Sequence, residues 1–194
     1  EYIIIDGAST DKTIDIIRKV FNLGKNYLTD RGITISVEDL NLDESVINTG
    51  DEIIKKAKDK TSEIIESYNK NELDIIPGKT KEESREIRIL QVLNEVRTKV
   101  GEIVKKEFPK NNPVNHMIMS GGGGNILNIT QIACFVGQQD LDSKRIDIGY
   151  NNRTLSFFKK GELSPRSRGF IDNSFMKGLR PDEFFFGSIT GRST

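Results

Sequence analysis

Two long stretches with helical hydrophobic periodicity constrain the fold of this chain most strongly. The first runs from about Glu44 to Asn69, and the second follows the chain break at Pro77-Gly78 and ends before Pro109. Thr80 and Glu83 have the spacing of a capping box, which marks the start of the second stretch. The apolar stripes consist of Ile54, Ala57, Thr61, Ile64 and Tyr68 in the first stretch, and of Ile89, Leu93, Val96, Val100, Ile103 and Val104 in the second. The sequence predicts an antiparallel helical hairpin whose stripes are buried against each other or against a partner.

Charged residues cover the opposite faces of both stretches, and this pattern is typical of helix faces in contact with water. We therefore expect Lys58 to lie on the solvated back of the hairpin. Over the whole chain 29 Lys and Arg residues balance 29 Asp and Glu residues, so net charge favours neither nucleic acid nor membrane as a partner. The sequence has no uninterrupted apolar run near the ~20 residues of a membrane span.

Shorter elements precede the hairpin. Residues 2–5 form a β-prone run, and Ile14, Ile17, Phe21 and Leu28 then recur at helical spacing up to Gly32, a plausible helix end. Residues 33–40 alternate apolar and polar side chains, which predicts a half-buried strand. The chain opens in mid-strand and ends on Gly-Arg-Ser-Thr, so we expect a fragment of a larger protein.

The character of the sequence changes after Pro109. A short apolar run, four glycines and a predicted helix follow, and one face of that helix carries Ile126, Ile129, Ala133 and Val136. Residues 151–180 contain seven Lys or Arg but two Asp or Glu, a local excess that the neutral total conceals. Pro181 is expected to start a last helix with acidic residues in its first turn. The predicted fold class is therefore α+β and mainly α, with a helical hairpin and a second half of mixed helices and short strands.

Three segments suggest chemistry without establishing it. Residues 6–11, Asp-Gly-Ala-Ser-Thr-Asp, resemble the nucleotide-sugar loop of family 2 glycosyltransferases, but these residue types are also ordinary turn and cap formers. The loop Ser120–Gly124 has the glycines of a phosphate cradle but lacks the Lys-Ser/Thr of a P-loop, so a flexible turn remains the alternative. His116 and Cys134 suggest a thiol–imidazole pair, or simply a buried cysteine and an unrelated histidine. We predict no catalytic residue and no metal ligand in this chain.

A specific resemblance emerges from a series of short motifs between residues 120 and 192. They are, in order, Ser120-Gly121, Asn128-Ile129-x-Gln131, Val136-Gly137-Gln138-Gln139, Lys144-Arg145-Ile146, Gly149-Tyr150, Arg153-Thr154-Leu155, Arg168-Gly169-Phe170, Asn173-Ser174-Phe175, Gly178-Leu179-x-Pro181, Glu183-Phe-Phe-Phe186 and Gly191-Arg192. This succession resembles the funnel region of the largest subunit of multisubunit DNA-directed RNA polymerases, where it leads into the bridge helix. The first half of the chain fits the same family more loosely.

The resemblance implies a functional division of the chain. Residues 1–43 would be the entry segment of the funnel, 44–109 its helical hairpin, 110–180 the core of the pore and 181–194 the start of the bridge helix. The implied supports of the pore and the bridge helix are Gln138, Gln139, Asn128, Lys144 and Arg145. The implied pore loop consists of Ser120, Gly121, Gly124 and Asn125. Lys144 and Arg145 would contact acidic neighbours or attract triphosphates. The alternative is that the two glutamines and the two cations simply satisfy neighbouring backbone groups.

The same resemblance implies the partners. These are the other polymerase subunits, template DNA and RNA in the complete enzyme, nucleoside triphosphates passing the pore, and a transcript-cleavage factor, with no membrane. The expected localisation is cytoplasmic, or nuclear in a eukaryote. The fragment needs no cofactor, whereas the complete enzyme uses Mg²⁺ held by an Asp triad that this sequence lacks. We therefore expect no catalysis by the fragment alone.

Two departures from the family pattern refine the expectation. Gly122 and Gly123 stand where family members often carry a basic residue, so a cation in the pore loop is not expected. Gly187 and Ser193 differ from the eukaryotic pattern, and with the Lys-, Ile- and Asn-rich composition they favour an archaeal version whose subunit is split into two chains. The alternatives are a stand-alone helical interaction module and a glycosyltransferase fragment.

Overall fold

The computed structural model describes residues 11–147, 149 and 151–193. These residues form an α+β fold that is mainly α, as the sequence predicted. The helices are α1 (Thr13–Arg31), α2 (Glu44–Asn69), α3 (Lys81–Glu107), α4 (Pro113–Met119), α5 (Ile126–Ala133) and α6 (Pro181–Ser193). The strands are β1 (Gly137–Gln138), β2 (Asp140–Leu141), β3 (Lys144–Arg145) and β4 (Phe170–Ile171). The predicted strand at residues 2–5, the glycosyltransferase-like residues 6–10 and Tyr150 lie outside the described residues.

The predicted hairpin is confirmed, since α2 and α3 pack against each other in antiparallel orientation. Tyr68 near the end of α2 donates a hydrogen bond to Glu82 in the first turn of α3, and Val100 lies against Gly50 at the other end. The capping box is also confirmed, because Glu83 N–H donates to the Thr80 hydroxyl and Thr80 N–H donates to the Glu83 carboxylate. The buried seam contains Val46, Ile54, Ala57 and Thr61 from α2, and Ile89, Leu93, Val96, Val100 and Val104 from α3.

Lys58 does not lie on the solvated back of α2, so that expectation was wrong. Its side chain is about one-third exposed and its ammonium pairs with Asp172, which lies 114 residues further along the chain. A lysine at the border of an apolar stripe can bury its methylene stem and direct its charge to a partner. The charge pattern on one helix does not reveal such a partner.

Two local predictions differ from the structure. Residues 33–40 form no strand but an extended segment that ends in a 3₁₀ turn at Glu38–Leu40, where Ser36 N–H donates to the Asp39 carboxylate. The alternating side chains Ile33, Ile35 and Val37 remain exposed, so alternation alone is not sufficient when no strand pairs with the segment. The apolar helix ends at Ala133, and Val136 is buried in the segment beyond it.

Two compact units divide the described residues. One contains the described residues up to Asn41 together with Pro109–Asn125, and within it Asn112 donates a side-chain hydrogen bond to the Asp39 carbonyl. The other contains Leu42–Phe108 and the described residues from Ile126 onward. In the first unit α1 ends at Gly32 as predicted, but none of its residues is buried.

The second half of the larger unit has an aromatic core. Phe158 and Phe186 stack with ring centroids 6.4 Å apart, and Ile146 packs in the same cluster. Phe135 and Phe170 pack with centroids 6.2 Å apart and are almost completely buried. Short strands supply the backbone around these rings, since β1 pairs with β4 and β2 pairs with β3, both antiparallel. The core thus connects α6, through Phe186, with the loops after β3.

We predict that Leu93→Ala lowers the free energy of unfolding by about 2–5 kcal/mol, because Leu93 is fully buried in the seam and its truncation leaves a cavity. Lys55→Ala is the matched control on an exposed position of α2, and its effect should stay below about 0.5 kcal/mol. Urea unfolding of the purified chain measures both changes. Equal shifts of the two midpoints would show that the buried and exposed faces are assigned incorrectly.

Candidate functional site

The Gln-Gln segment lies in a two-stranded pairing close to the start of α6. In β1 and β4, Gly137 is opposite Ile171 and Gln138 is opposite Phe170. The pairing extends beyond the strands, since Gln139 N–H donates to the Gly169 carbonyl at 2.8 Å. Both β4 residues are buried. The backbone of the Gln-Gln segment is therefore fixed from one side by β4.

The side chains of the two glutamines have different surroundings. Gln138 is 2% exposed, and its Nε2 donates to the carbonyls of Gln139 at 2.6 Å and Arg168 at 2.9 Å. Gln139 is half-buried and its side chain makes a long contact of 3.4 Å with the Gly137 carbonyl. An amide nitrogen has two protons to donate, so Gln138 holds two loop carbonyls at once. Of the pair, Gln138 is the residue that fixes its surroundings.

Gly169 is required by the close approach of the chain at this point. Its φ is +90°, and a Cβ at this position would lie 2.9 Å from Ile146 Cδ1 and 3.2 Å from the Gln139 carbonyl oxygen. A larger residue would push the β1–β4 pairing apart or displace the core residue Ile146.

The first turn of α6 is held by a buried carboxylate. Glu183 is 1% exposed, and its Oε2 accepts hydrogen bonds from the Arg180 backbone N–H at 2.8 Å and from Asn173 Nδ2 at 2.9 Å. Its Oε1 accepts from Arg180 Nη2 at 2.9 Å. A carboxylate at this position also interacts favourably with the helix dipole. Glu183 thereby joins the start of α6 to Asn173, two residues after β4.

Two further carboxylates near the start of α6 are paired with cations. Asp172 accepts hydrogen bonds from Lys58 and, at 2.8 Å, from Arg180. Burial raises the pKa of Asp172, but these cations outweigh it and lower the pKa to about 2. Asp182 is 4% exposed and forms a two-point pair with Arg166, at 2.9 and 3.3 Å. Burial opposes ionisation here too, yet Arg166 holds the pKa of Asp182 below its usual range. Both carboxylates are therefore charged at neutral pH.

The Lys-Arg pair is divided between the interior and the surface. Arg145 is 3% exposed, and its guanidinium donates to both carboxylate oxygens of Glu86 on α3, at 2.9 and 3.2 Å, and to the Leu163 carbonyl. Burial raises the pKa of Glu86, but Arg145 and Arg85 together bring it below its ordinary value. Lys144 is exposed beside the β2–β3 turn, where Asp142 and Ser143 both have positive φ. Of the two cations, only Lys144 can meet a solute directly.

The predicted pore-loop residues Ser120, Gly121, Gly124 and Asn125 belong to the smaller unit. Ser120 caps the end of α4, and the N–H groups of Gly121 and Gly122 donate to α4 carbonyls at 3.1 and 3.0 Å. These amides are already bonded, so the geometry favours a turn that ends a helix over a phosphate cradle. Asn128, the remaining predicted support residue, lies exposed on α5 in the larger unit.

The thiol hypothesis receives no support from the environment of Cys134. The residue is buried in the larger unit, and burial raises the pKa of its thiol to about 11 despite the nearby Lys177. A thiol with such a pKa stays protonated at neutral pH and is a poor nucleophile. His116 lies in α4 of the smaller unit.

The described residues include no group of three or more His, Cys, Asp or Glu side chains that could hold a metal ion. The carboxylates at the start of α6 are each paired with Lys or Arg, so they do not fit an Mg²⁺ centre. Within the same residues, no helix is long and apolar enough to cross a membrane.

Sequence reasoning singled out Gln138 and Arg145 as candidates but missed their partners and most of the ion pairs and hydrogen bonds near the start of α6. Glu86, Lys58 and Asp172 gave no signal, because each looks like one of many surface charges and its partner is remote in sequence. Glu183 was noted only as an acid in a first helical turn. The spacing Arg180-Pro181-x-Glu183 is a detectable signal for the bond from the Glu183 side chain to the residue before the helix.

The α2–α3 hairpin, the Gln-Gln segment and the start of α6 follow one another along the chain, and the last two carry motifs that resemble the polymerase family. A family model, RNA polymerase Rpb1, domain 4, matches residues 65–171, and the chain belongs to this family. DNA-directed RNA polymerase subunit Rpo1N of Methanocaldococcus jannaschii is 43% identical over 84% of this chain, and that of Sulfolobus acidocaldarius is 40% identical over 91%. The subunit of Thermococcus celer is 36% identical over 98%. The predicted archaeal resemblance is confirmed.

These relatives are much longer than this chain. The matches cover 12% of the Methanocaldococcus protein, 20% of the Sulfolobus protein and 21% of the Thermococcus protein. The chain therefore spans about a fifth or less of the length of each.

We predict that Asp172 makes the stability of the chain sensitive to acid. Its pKa in the folded chain is about 2, below the ordinary value of 3.8, so its contribution is present above about pH 4 and is lost as the pH falls towards 2. This shift corresponds to about 2 kcal/mol. Between pH 4 and 2, unmodified chain should lose about that much more stability than Asp172→Asn, measured by urea unfolding.

Asp59→Asn is the control for this experiment, because Asp59 is an exposed carboxylate on the same helix as Lys58. Its acid sensitivity should equal that of the unmodified chain. An Asp172→Asn variant with the same pH dependence as both would contradict the assigned ion pairs.

Proposed function

We propose that this chain is the funnel portion of the largest subunit of a DNA-directed RNA polymerase, and that α6 is the start of its bridge helix. The observation that carries the proposal is the continuous path of bonds from the Gln-Gln segment to the first turn of α6. In the complete enzyme this portion would line the channel through which nucleotides enter and would brace the bridge helix. Nucleotidyl transfer, with Mg²⁺, template DNA and RNA, would take place on other parts of the enzyme.

The path begins at Gln138 and is short. Its side chain holds the Arg168 carbonyl, and its strand pairs with Phe170 and Ile171. The next residue, Asp172, accepts a hydrogen bond from Arg180 immediately before α6. A displacement at Gln138 therefore reaches the start of α6 through five residues of the chain and one ion pair.

Asn173 supplies a second connection along the same path. Its carbonyl accepts a hydrogen bond from Val136 N–H at 3.0 Å, just before β1, and its side-chain amide donates to Glu183 at 2.9 Å. Further along, Phe175 and Met176 N–H groups donate to the carbonyls of Gln131 and Ile132 near the end of α5. The segment that leads into α6 is thus bonded to the residue just before β1, to the end of α5 and to α6 itself, as a brace requires.

The exposed groups suggest where solutes and partners would bind. Lys144 is an exposed point charge beside the β2–β3 turn, and we propose that it attracts nucleoside triphosphates by steering rather than by a fixed contact. Arg145 is excluded from this role because Glu86 and a carbonyl occupy its guanidinium. The charged outer faces of α2 and α3 are the surface that we propose for docking of a transcript-cleavage factor.

The alternatives are less well supported. The family match over residues 65–171 favours the polymerase hypothesis over a stand-alone helical module. It also favours it over a glycosyltransferase fragment, whose candidate motif begins at residue 6, outside both that match and the described residues.

We predict that the isolated chain does not synthesise RNA. The described residues offer no carboxylate cluster for the two metal ions of nucleotidyl transfer. Purified chain incubated with template, nucleotides and Mg²⁺ should give no extended product. Complete polymerase is the positive control, and reproducible extension by the chain alone would overturn the proposal.

We predict that Gln138→Ala, introduced into complete polymerase, changes the elongation rate and pausing about ten- to hundredfold. Truncation leaves the Gln139 and Arg168 carbonyls without their donor, at about 1–3 kcal/mol, and about 1.4 kcal/mol is tenfold in rate. Promoter binding should be unchanged. The measurement is the elongation rate as a function of nucleotide concentration.

Gln139→Ala is the matched comparison, and its effect should be several-fold smaller because its side chain makes a single long contact. Normal elongation by the Gln138 variant at limiting nucleotide would exclude the bracing role. A rise in the nucleotide concentration for half-maximal rate, with an unchanged maximal rate, would point instead to direct contact with substrate.

A further inference from the structure

Helix α2 contacts the segment that leads into α6 through two ion pairs. Lys58 pairs with Asp172. Lys177 Nζ donates hydrogen bonds to both carboxylate oxygens of Asp51, each at 3.2 Å. Asp51 and Lys58 are seven residues apart, so they lie on the same face of α2. Each pair consists of one lysine and one aspartate, with the lysine on α2 in the first pair and the aspartate on α2 in the second, and both pairs join the same two parts of the chain.

The two pairs differ in what lies behind them. The Asp172 side chain is 23% exposed, and its second oxygen accepts a hydrogen bond from Arg180 Nη2 at 2.8 Å. The same Arg180 nitrogen donates to Glu183 in the first turn of α6 at 2.9 Å. The side chain of Asp51, by contrast, is 51% exposed, and its pair with Lys177 ends on the surface. The Lys58 pair is therefore connected to the anchored carboxylate of α6, whereas the Lys177 pair is not.

We infer that Lys58 and Asp172 are positioning residues that couple helix α2 to the first turn of α6. The inference rests on the proposed function of α6 as the start of the bridge helix. The Asp172 carboxylate is the junction, since one oxygen binds the ammonium of α2 and the other binds the guanidinium before α6. A displacement of α2 changes the distance between the Lys58 ammonium and the Asp172 carboxylate. It therefore changes how strongly Asp172 attracts Arg180, which also binds Glu183.

This coupling would allow the α2–α3 hairpin to affect the position of α6. The apolar stripes of α2 and α3 are buried against each other, so a partner bound to the hairpin would move α2 together with α3. The ion pair would transmit that movement to α6. Asp172 keeps its pair with Arg180 when the charge of Lys58 is removed, so the loss of that charge should appear mainly in the rate of a step that moves α6.

The test compares variants of the complete subunit assembled into polymerase. Lys58→Met, which keeps the stem and removes the charge, should change the maximal elongation rate by about three- to tenfold. The nucleotide concentration for half-maximal rate should stay the same, and Lys58→Arg should restore a near-normal rate. Lys177→Met, which removes the matched surface pair, should stay within about 1.5-fold of the unmodified enzyme.

A double variant tests whether the two residues act as a pair. Adding Lys58→Met to Asp172→Asn should cause no further change, because the interaction is already lost. The isosteric Asp172→Asn variant also replaces Lys58→Met as the main measurement if the latter does not assemble. Independent effects that add in the double variant would contradict the pairing.

Gln138→Ala is measured in parallel, so that failure of the inference and failure of the proposed function are distinguishable. A normal maximal rate for Lys58→Met, with an altered rate for Gln138→Ala, would overturn the coupling and leave the proposed function standing. Normal rates for both would reject both. An equal effect of Lys58→Met and Lys177→Met would show that any lost ion pair between α2 and the segment before α6 slows the enzyme. That result would also overturn the coupling.

Discussion

The apolar seam between α2 and α3 is the constraint on which the rest of the larger unit depends. It is built from fully buried aliphatic side chains such as Ile89, Leu93 and Val100. Burial of such side chains is the main favourable contribution in a fold of this kind. With the seam fixed, Glu86 on α3 and Lys58 on α2 have defined positions, and each then pairs with a cation or carboxylate from the second half of the chain. The charged network near α6 is therefore assembled on the hairpin.

The neutral net charge of the chain conceals how its charges are used. Many Lys and Glu residues on the hairpin face water, as the periodicity predicted. A smaller set, among them Arg145 and Asp182, is almost completely buried and is paired with residues that are remote in sequence. Such pairs stabilise a fold only modestly, because burial opposes ionisation, but removal of one partner is costly. Their effect is to define the geometry around α6 more than to add stability.

The sequence predicted those features that depend on local chemistry. The hairpin, its capping box, the end of α1 at Gly32 and the start of α6 at Pro181 each follow from residues within a turn or two of each other. The features it could not predict depend on remote contacts. Residues 33–40 alternate like a strand but have no pairing partner among the described residues, and the partner of Arg145 lies 59 residues earlier, on helix α3. Periodicity predicts which face of a helix or strand is buried. It does not predict which other element packs against that face.

Arg145 and Gln138 differ in the partners that their buried side chains require, and this difference explains why an amide stands opposite Phe170 in the β1–β4 pairing. A buried guanidinium requires a carboxylate in register, and here that carboxylate is Glu86 on α3. The nitrogen of a buried amide requires only carbonyl acceptors, which the loop itself supplies through Gln139 and Arg168, whereas the Gln138 Oε1 has no hydrogen-bond partner among the described residues. Gln138 can therefore hold the β1–β4 pairing without introducing a buried charge that would need a carboxylate of its own. An alanine at this position would leave two carbonyls without a donor.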